Sequence, residues 1–133
     1  MSTQATGTFE VSKWDEKPYS EIEGGPKLTH TSVVKTLSGD VEGEATLEYL
    51  MVYHADGSAS VYGLERVAGK VGGKSGSFVL EHKGNDDGQK TTIAWTVVPG
   101  SGTGELRGLR GEGGFSAGRN EYPFAFTLDY EFE

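Results

Sequence analysis

Two glutamates and one histidine are the residues whose types and spacing could support catalysis in this sequence. An Asp-Gly pair at 56–57 predicts a two-residue β-hairpin, and that turn places Glu48 directly opposite Glu65 on neighbouring strands. A second turn, predicted at 72–73, brings His82 onto the next strand and onto the same face. The sequence therefore predicts a carboxyl pair with an imidazole beside it.

Two adjacent carboxyl groups in an apolar interior favour acid–base chemistry. Like charges that face each other across a sheet are destabilising, and burial adds a desolvation cost. Such a pair shares a proton, so one pKa rises above the ~4.3 of free glutamate and that group can act as a general acid or base. His82 would orient or relay the proton. In the alternative interpretation, Arg66, Lys70 or Lys90 pairs with the glutamates at the barrel rim, and the cluster is an ordinary surface network.

The face that carries these polar groups is otherwise apolar. The loop at 85–88 predicts a third hairpin, which sets Leu80 against Ile93 and Phe78 against Trp95. A polar spot in an aromatic-walled hollow is the usual form of a small-molecule site. The predicted ligand-binding residues are Leu50, Gly63, Phe78, Leu80, Ile93, Trp95 and Phe126.

Runs rich in β-formers alternate with glycines and show no sustained helical spacing, which predicts a single all-β domain. Eight strands are predicted, near residues 7–14, 27–37, 41–54, 58–68, 76–82, 91–98, 109–117 and 122–132. Eight antiparallel strands close into a barrel with room inside for side chains or one small ligand. We expect a flexible N-terminus over 1–5, one barrel domain over 6–133, and a loop over 14–27 that could cover one mouth.

The opposite face of the predicted sheet is also apolar. It carries Tyr49, Met51, Tyr62 and Leu64. No predicted helix is available to cover this face, so self-association is the simplest way to bury it. The predicted assembly is a homo-oligomer, either a dimer or a trimer.

Charge and composition exclude several classes of partner. The chain has 133 residues, no cysteine and a formal net charge of −8. An acidic surface repels nucleic acid and anionic lipid, and no apolar run is long enough to span a membrane. No signal peptide is visible, so a cytoplasmic protein is expected. The histidines show no HxH or HxxxH spacing and the glycine-rich stretch 100–114 lacks a nucleotide fingerprint, so neither a metal nor a cofactor is expected.

Five segments, taken together, resemble a bacterial domain family of unknown function. They are EYLMVY (48–53), YGLERV (62–67), GSFVLEHKG (76–84), WTVVPGSGTGELRGLRGEG (95–113) and LDYEFE (128–133). That family is similar in fold to the allene oxide cyclases, which implies an eight-stranded antiparallel barrel that associates through its outer face. The stretch 102–111 is also similar to the glycine hairpin of plant dirigent proteins.

The resemblance implies a cavity with apolar walls rather than a particular reaction. The plant cyclases work without a cofactor and hold a fatty-acid epoxide in an apolar lumen. Their motif includes a lumen cysteine and an asparagine that this chain does not match, and Leu50 lies roughly where the cysteine would be. Only the cavity and its walls are carried over, because a shared fold does not imply a shared activity.

Three functions are left open by the sequence. In the first, which we rank highest, the barrel binds a small, largely apolar ligand in its lumen without chemistry. In the second, it is a cofactor-free isomerase or cyclase in which Glu48 and Glu65 exchange protons, His82 orients them, and Trp95 and Phe78 shape the substrate. In the third, the barrel has a solid core and serves only structure and assembly.

Overall fold

Eight antiparallel strands follow one another around the wall of a closed barrel. The structure, a computed structural model, describes residues 2–118 and 122–133. The strands are β1 (Thr3–Ser20), β2 (Lys27–Gly39), β3 (Val41–Tyr53), β4 (Ala59–Val71), β5 (Lys74–Asp86), β6 (Lys90–Val97), β7 (Leu109–Gly118) and β8 (Phe124–Phe132). Strand β1 pairs with β8, which closes the barrel. The predicted all-β, eight-stranded barrel is confirmed.

Alternation of buried and exposed residues directs one face of each strand into the barrel. In β3 and β8, inward and outward positions alternate along the strand, as expected for a sheet with one face on a core. The predicted apolar stripe of β8 lies in or against that core: Phe124, Phe126, Leu128, Tyr130 and Phe132. A short 3₁₀ turn, Gly104–Leu106, adds the fully buried Leu106 before β7 begins. Within the described residues, no helix is long and apolar enough to cross a membrane.

The β3–β4 turn is one residue longer than the sequence predicts, and this corrects the register. Gly57 adopts a φ of +92°, a left-handed conformation that glycine tolerates. The backbone N–H of His54 donates to the carbonyl oxygen of Ser58 at 2.8 Å, closing a three-residue loop between them. Tyr49 therefore pairs with Gly63. The predicted pairing of Glu48 with Glu65 is wrong.

A shift of one residue turns every side chain of β3 to the other face. Leu47, Tyr49 and Met51 point into the barrel and are buried. Glu48 and Leu50, predicted inside, lie on the outer surface, where Leu50 is 51 % exposed. On β4 the predicted orientation is correct, so only one strand of this hairpin is reversed.

The next two hairpins keep the predicted faces. The turn at 72–73 sets Gly63 opposite His82, as predicted. The β5–β6 turn lies further along the chain than predicted, so Leu80 pairs with Val97 instead of Ile93, and Trp95 pairs with His82 instead of Phe78. Because each new partner lies an even number of residues from the predicted one, the inward face does not change.

Strand β1 is longer at both ends than the sequence predicts. Ala5 is 1 % exposed and pairs with Leu128, although the sequence predicts a flexible segment over 1–5. The predicted loop over 14–27 shortens to 21–26, because β1 continues through Pro18. Beyond Phe9, β1 pairs only with β2 among the described residues. The other side of β1 is open there, and a strand with an open side tolerates a proline.

Part of the predicted self-association surface lies inside the barrel. Tyr49 and Met51 are buried, whereas Tyr62 and Leu64 lie on the outer wall with Leu50 beside them. These three exposed side chains form an apolar patch. The homo-oligomer stays a prediction, with this patch in place of the predicted set.

Cysteine labelling tests the corrected register, because the chain has no cysteine of its own. Ala45 and Thr46 are neighbours on β3; Ala45 is 2 % exposed and Thr46 faces solvent. We expect the Thr46→Cys thiol to react with Ellman's reagent at the rate of a free thiol. The Ala45→Cys thiol should react at least about 100-fold more slowly, since it must wait for local opening. The opposite order would restore the register that the Asp-Gly turn predicts.

Candidate functional site

Four polar side chains from four consecutive strands meet inside the barrel. They are Lys35 on β2, Tyr49 on β3, Glu65 on β4 and His82 on β5. None of them exceeds 5 % exposure, and Glu65 is completely buried. Buried charged and polar groups are costly unless they are paired, so these four must satisfy one another.

Hydrogen bonds join three of the four groups in a line. The Glu65 carboxylate lies 2.6 Å from His82 Nε2, and His82 Nδ1 lies 2.9 Å from the Tyr49 hydroxyl. A carboxylate can only accept, so Nε2 carries the proton and donates to Glu65. Nδ1 then accepts from the Tyr49 O–H. The line fixes His82 as one neutral tautomer.

A glycine makes the contact between Tyr49 and His82 possible. Gly63 pairs with Tyr49 on one side and with His82 on the other. A Cβ at Gly63 would lie 2.5 Å from Tyr49 Cδ1 and 2.6 Å from the Glu48 carbonyl oxygen, closer than atoms pack. Gly63, a predicted ligand-binding residue, is therefore covered by the Tyr49 ring.

Lys35 completes the cluster as the partner of Glu65. Its Nζ lies 3.2 Å from Glu65 Oε2, within ion-pair distance. The remaining surroundings of the ammonium are aromatic, with Nζ 4.0 Å from the centre of the Phe9 ring and 5.3 Å from that of Phe115. Among the described residues, no group has hydrogen-bond geometry to Nζ, and the Glu65 contact also falls short of it. The ammonium thus has N–H groups that the protein leaves without an acceptor.

Burial and mutual contacts displace all four pKa values. Burial lowers the pKa of Lys35, although the Glu65 carboxylate acts in the opposite direction. Burial raises the pKa of Glu65, but Lys35 and His82 outweigh it and leave the pKa below its usual range. Burial also lowers the pKa of His82 and raises that of the Tyr49 hydroxyl. At neutral pH the cluster contains an ionised Glu65, a neutral His82 and a protonated phenol.

A cavity of about 410 Å³ lies above this cluster at the end of the barrel that holds the β5–β6 turn. Lys35 and Tyr49 line it, whereas Glu65 and His82 lie behind them. Its walls are mainly apolar side chains of β1, β2, β3, β7 and β8: Phe9, Val11, Trp14, Val33, Leu47, Phe115, Ala117 and Phe124. The β5–β6 turn and the end of β7 form the mouth. The barrel is thus packed along most of its length and hollow at one end.

Two of the three predicted catalytic residues lie inside the barrel. Glu65 and His82 are buried and hydrogen-bonded to each other, in the predicted juxtaposition. Glu48 lies outside, where its carboxylate accepts from Ser32 Oγ and lies 2.8 Å from His30 Nε2. The predicted carboxyl pair does not exist, because the corrected β3 register separates its members.

The predicted ligand-binding residues form the core beneath the cavity instead of its walls. Five of them are buried as predicted: Phe78, Leu80, Ile93, Trp95 and Phe126. None of these lines the cavity. Trp95 supports the site from below, with its ring 5.3 Å from His82 and its indole N–H donating to the Thr127 carbonyl oxygen. Leu50 lies on the outer surface.

Sequence reasoning missed Lys35 and Tyr49. Tyr49 is assigned to the wrong face by the predicted turn. Lys35 carries a signal that could have found it, because it alternates with Val33 and Leu37 on the apolar face of β2. A lysine in that phase must be buried and must have a partner. Arg66, Lys70 and Lys90, the partners that the sequence suggests for the glutamates, are exposed.

The described residues contain no group of three or more His, Asp or Glu side chains arranged to hold a metal ion. The polar side chains that line the cavity are Lys35 and Tyr49 in its buried part and Asp86, Gln89, Lys90 and Thr91 at its mouth. An ammonium repels cations and recognises oxygen acceptors. In its buried part the cavity therefore offers hydrogen-bond donation and, from an unprotonated Lys35, nucleophilic attack.

Comparison with known proteins identifies related chains without naming an activity. A family model described as "Protein of unknown function (DUF3224)" matches residues 5–130. A crystal structure of a DUF3224 family protein of unknown function from Shewanella oneidensis MR-1 is 35 % identical, with a TM-score of 0.82. The match covers 100 % of this chain and 98 % of that one. No curated protein matches the chain. The similarity to allene oxide cyclases stays a prediction.

Substitution of the buried ion pair tests its contribution to stability. Lys35→Met leaves a buried carboxylate with His82 alone, and Glu65→Gln leaves an unpaired ammonium. Each should lower the free energy of unfolding by about 3–5 kcal/mol, and the double variant should lose less than the sum. Urea unfolding followed by tryptophan fluorescence measures this. The exposed Arg110–Glu133 pair is the control, because Arg110→Met should change stability little. Strictly additive losses would contradict a direct pairing.

The lowered pKa values of His82 and Glu65 predict that the folded chain loses stability as the pH falls. The pKa values of both groups in the folded chain lie below their ordinary values of 6.5 and 4.5. As pH falls below each of these values, the unfolded chain binds a proton that the folded chain does not, so the free energy of unfolding falls. His82→Gln keeps a donor for Glu65 and an acceptor for Tyr49. That variant should lose less stability between about pH 7.5 and 5 than the parent chain. The same pH dependence of the free energy of unfolding in both chains would show that the pKa of His82 is not lowered by folding.

Proposed function

The chain belongs to the DUF3224 family, whose function is unknown, and we propose from its own site that it binds a small, largely apolar molecule carrying one oxygen acceptor. The ligand lies in the cavity at the end of the barrel. Its oxygen accepts a hydrogen bond from Lys35. The observation that carries the proposal is a buried lysine among the cavity-lining residues, whose Nζ has no hydrogen-bonded partner in the described part of the chain.

The apolar character of the ligand follows from the cavity walls. Phe9, Phe115 and Phe124 line the cavity along with aliphatic residues of β1, β2 and β3. A volume of about 410 Å³ is within the ordinary range for small-molecule pockets. Most of the binding free energy would come from apolar surface removed from water. A strongly hydrated ligand would lose its hydrogen bonds to water there, and the apolar walls could not replace them.

The acceptor follows from the hydrogen-bonding capacity of Lys35. An ammonium has three N–H donors, and Glu65 lies on one side of Lys35. Aromatic rings offer only weak cation–π contacts for the others. A ligand oxygen in the cavity would accept from Lys35 and remove the cost of an unsatisfied buried donor.

The charge of the cluster favours a neutral acceptor such as a carbonyl group. Lys35 and Glu65 form a pair with no net charge, and His82 is neutral. An anionic ligand would place a second negative charge close to the buried Glu65 carboxylate, which is unfavourable in an apolar interior. A ketone, aldehyde or ester brings an acceptor without that charge.

The two other functions considered for this sequence are less well supported. Proton exchange between Glu48 and Glu65 would need them on one face, and they lie on opposite sides of the barrel wall. A barrel that serves only structure has no use for a buried ammonium facing an apolar cavity. Ligand binding gives a role to both the buried ammonium and the apolar cavity.

Titration with prodan, an apolar naphthalene ketone, tests the proposal. Its emission shifts to the blue in an apolar environment, so we expect a saturable blue shift on addition of the protein. Lys35→Met should weaken the affinity by about tenfold or more, the usual effect of losing one hydrogen bond to a charged group. Circular dichroism shows whether that variant keeps the fold.

A matched pair of tryptophan variants locates the bound dye. Ala117→Trp fills the cavity mouth on β7, and Ala125→Trp places the same side chain on the outside of β8. The first variant should abolish the blue shift and the second should leave it unchanged. Equal binding by both variants and by Lys35→Met would place the dye elsewhere and contradict the proposal.

A further inference from the structure

We propose that Lys35 forms a reversible imine with the aldehyde group of an apolar ligand held in the cavity. This inference rests on the proposed binding function and names the chemical class of its ligand.

Lys35 is the buried lysine among the residues that line the cavity. The rings around Nζ, Phe9 and Phe115, also line it. For attack, the face of the carbonyl group must turn towards Nζ, since a hydrogen bond reaches the oxygen in the carbonyl plane whereas a nucleophile reaches the carbon from above it. Holding the aldehyde in the cavity removes most of the entropic cost of that encounter.

Glu65 supplies the acid–base partner that imine formation needs. Its Oε2, 3.2 Å from Nζ, can take one ammonium proton and free the nitrogen lone pair. The lone pair attacks the carbonyl carbon and the C=O π electrons move to the oxygen. A proton then passes from the new positively charged nitrogen to that oxygen, which gives a neutral carbinolamine. Its hydroxyl group takes the proton back from Glu65 and leaves as water, while the C=N bond forms.

The overall step conserves charge as well as atoms. An ammonium and an aldehyde give a protonated imine and one water, with a single positive charge on each side. The iminium nitrogen stays beside the Glu65 carboxylate, so the buried ion pair is present before and after the step, and Glu65 is protonated only in between. No oxidant, reductant or metal is needed. Hydrolysis reverses the step and releases the aldehyde.

His82 and Tyr49 hold Glu65 in place for this step. The carboxylate uses Oε1 for His82 and leaves Oε2 for Lys35. His82 is in turn fixed by Tyr49, whose ring rests against Gly63. Both are positioning residues, since they act through Glu65: His82 does not line the cavity, and the Tyr49 hydroxyl is held by His82. They keep one carboxylate oxygen directed at the amine.

The environment of Lys35 sets it apart from the other lysines. All of them, Lys13, Lys17, Lys27, Lys70, Lys74, Lys83 and Lys90, are exposed. A lysine side chain in water is almost entirely protonated at neutral pH, which leaves little free amine. Burial lowers the pKa of Lys35, so more of its free amine is available, and lysines in apolar pockets are activated in this way.

Reductive trapping with benzaldehyde and sodium cyanoborohydride tests the inference. At neutral pH, the reagent converts an imine into a stable benzyl-lysine, which peptide mass spectrometry locates. We expect Lys35 to be modified at least about tenfold faster than the average exposed lysine. Ala117→Trp should lose the Lys35 modification and keep the slow surface modification. Ala125→Trp should behave like the parent chain, and Glu65→Gln should slow modification of Lys35.

Three outcomes separate this inference from the binding function. Preferential modification at Lys35 that the Ala117→Trp variant loses supports the imine. Modification confined to exposed lysines, with prodan binding still dependent on Lys35, overturns the imine and leaves the binding function intact. Absence of both overturns the two together. The comparison among lysines is made within the parent chain, so a lack of preference for Lys35 there overturns the imine whatever the variants do.

Discussion

One buried ion pair constrains the whole barrel: a lysine ammonium and a glutamate carboxylate enclosed by aromatic rings. Desolvation of two charges in an apolar interior is costly, and their attraction compensates only when the geometry is held firmly. Glu65 meets this condition with Oε1, which accepts from His82, whereas Oε2 lies beside Lys35 without hydrogen-bond geometry. Lys35 meets it in part, since no described group accepts its hydrogen bonds. An apolar pair of the same size would fill this space at lower cost, which is why the proposed binding function gives the pair a role in recognition.

The fold holds the pair in place by dividing the barrel into a packed part and a hollow end. Beneath the pair, Trp95 and Phe78 are fully packed in the core. Above it, the lumen opens between β1, β2 and β7. Neighbouring strands supply the four polar groups in order, and Gly63 lets Tyr49 and His82 touch across β4. The four polar groups therefore lie between a packed core and a cavity.

The architecture could be predicted from the sequence because glycine turns and period-two apolar runs are local signals. Glu65 and His82 could also be placed inside, because the turn at 72–73 fixes the β4–β5 register without ambiguity. The rest depended on the single residue that separates a two-residue from a three-residue loop at Gly57. The longer loop reverses all of β3, so Tyr49 points into the barrel where the sequence predicts Glu48. Lys35 could be found only by asking why a charged residue lies in the apolar phase of β2.

Proton-exchange NMR on the lysine side chains tests the central claim most directly: that a shielded ammonium lies beside Glu65 at the floor of the cavity. In a chain with nitrogen-15-labelled lysine, the Lys35 ammonium protons should exchange with water far more slowly than those of the exposed lysines. Their signal should move when Glu65 is replaced by glutamine. A Lys35 ammonium that exchanges as fast as Lys13 or Lys83, and ignores that substitution, would contradict the account.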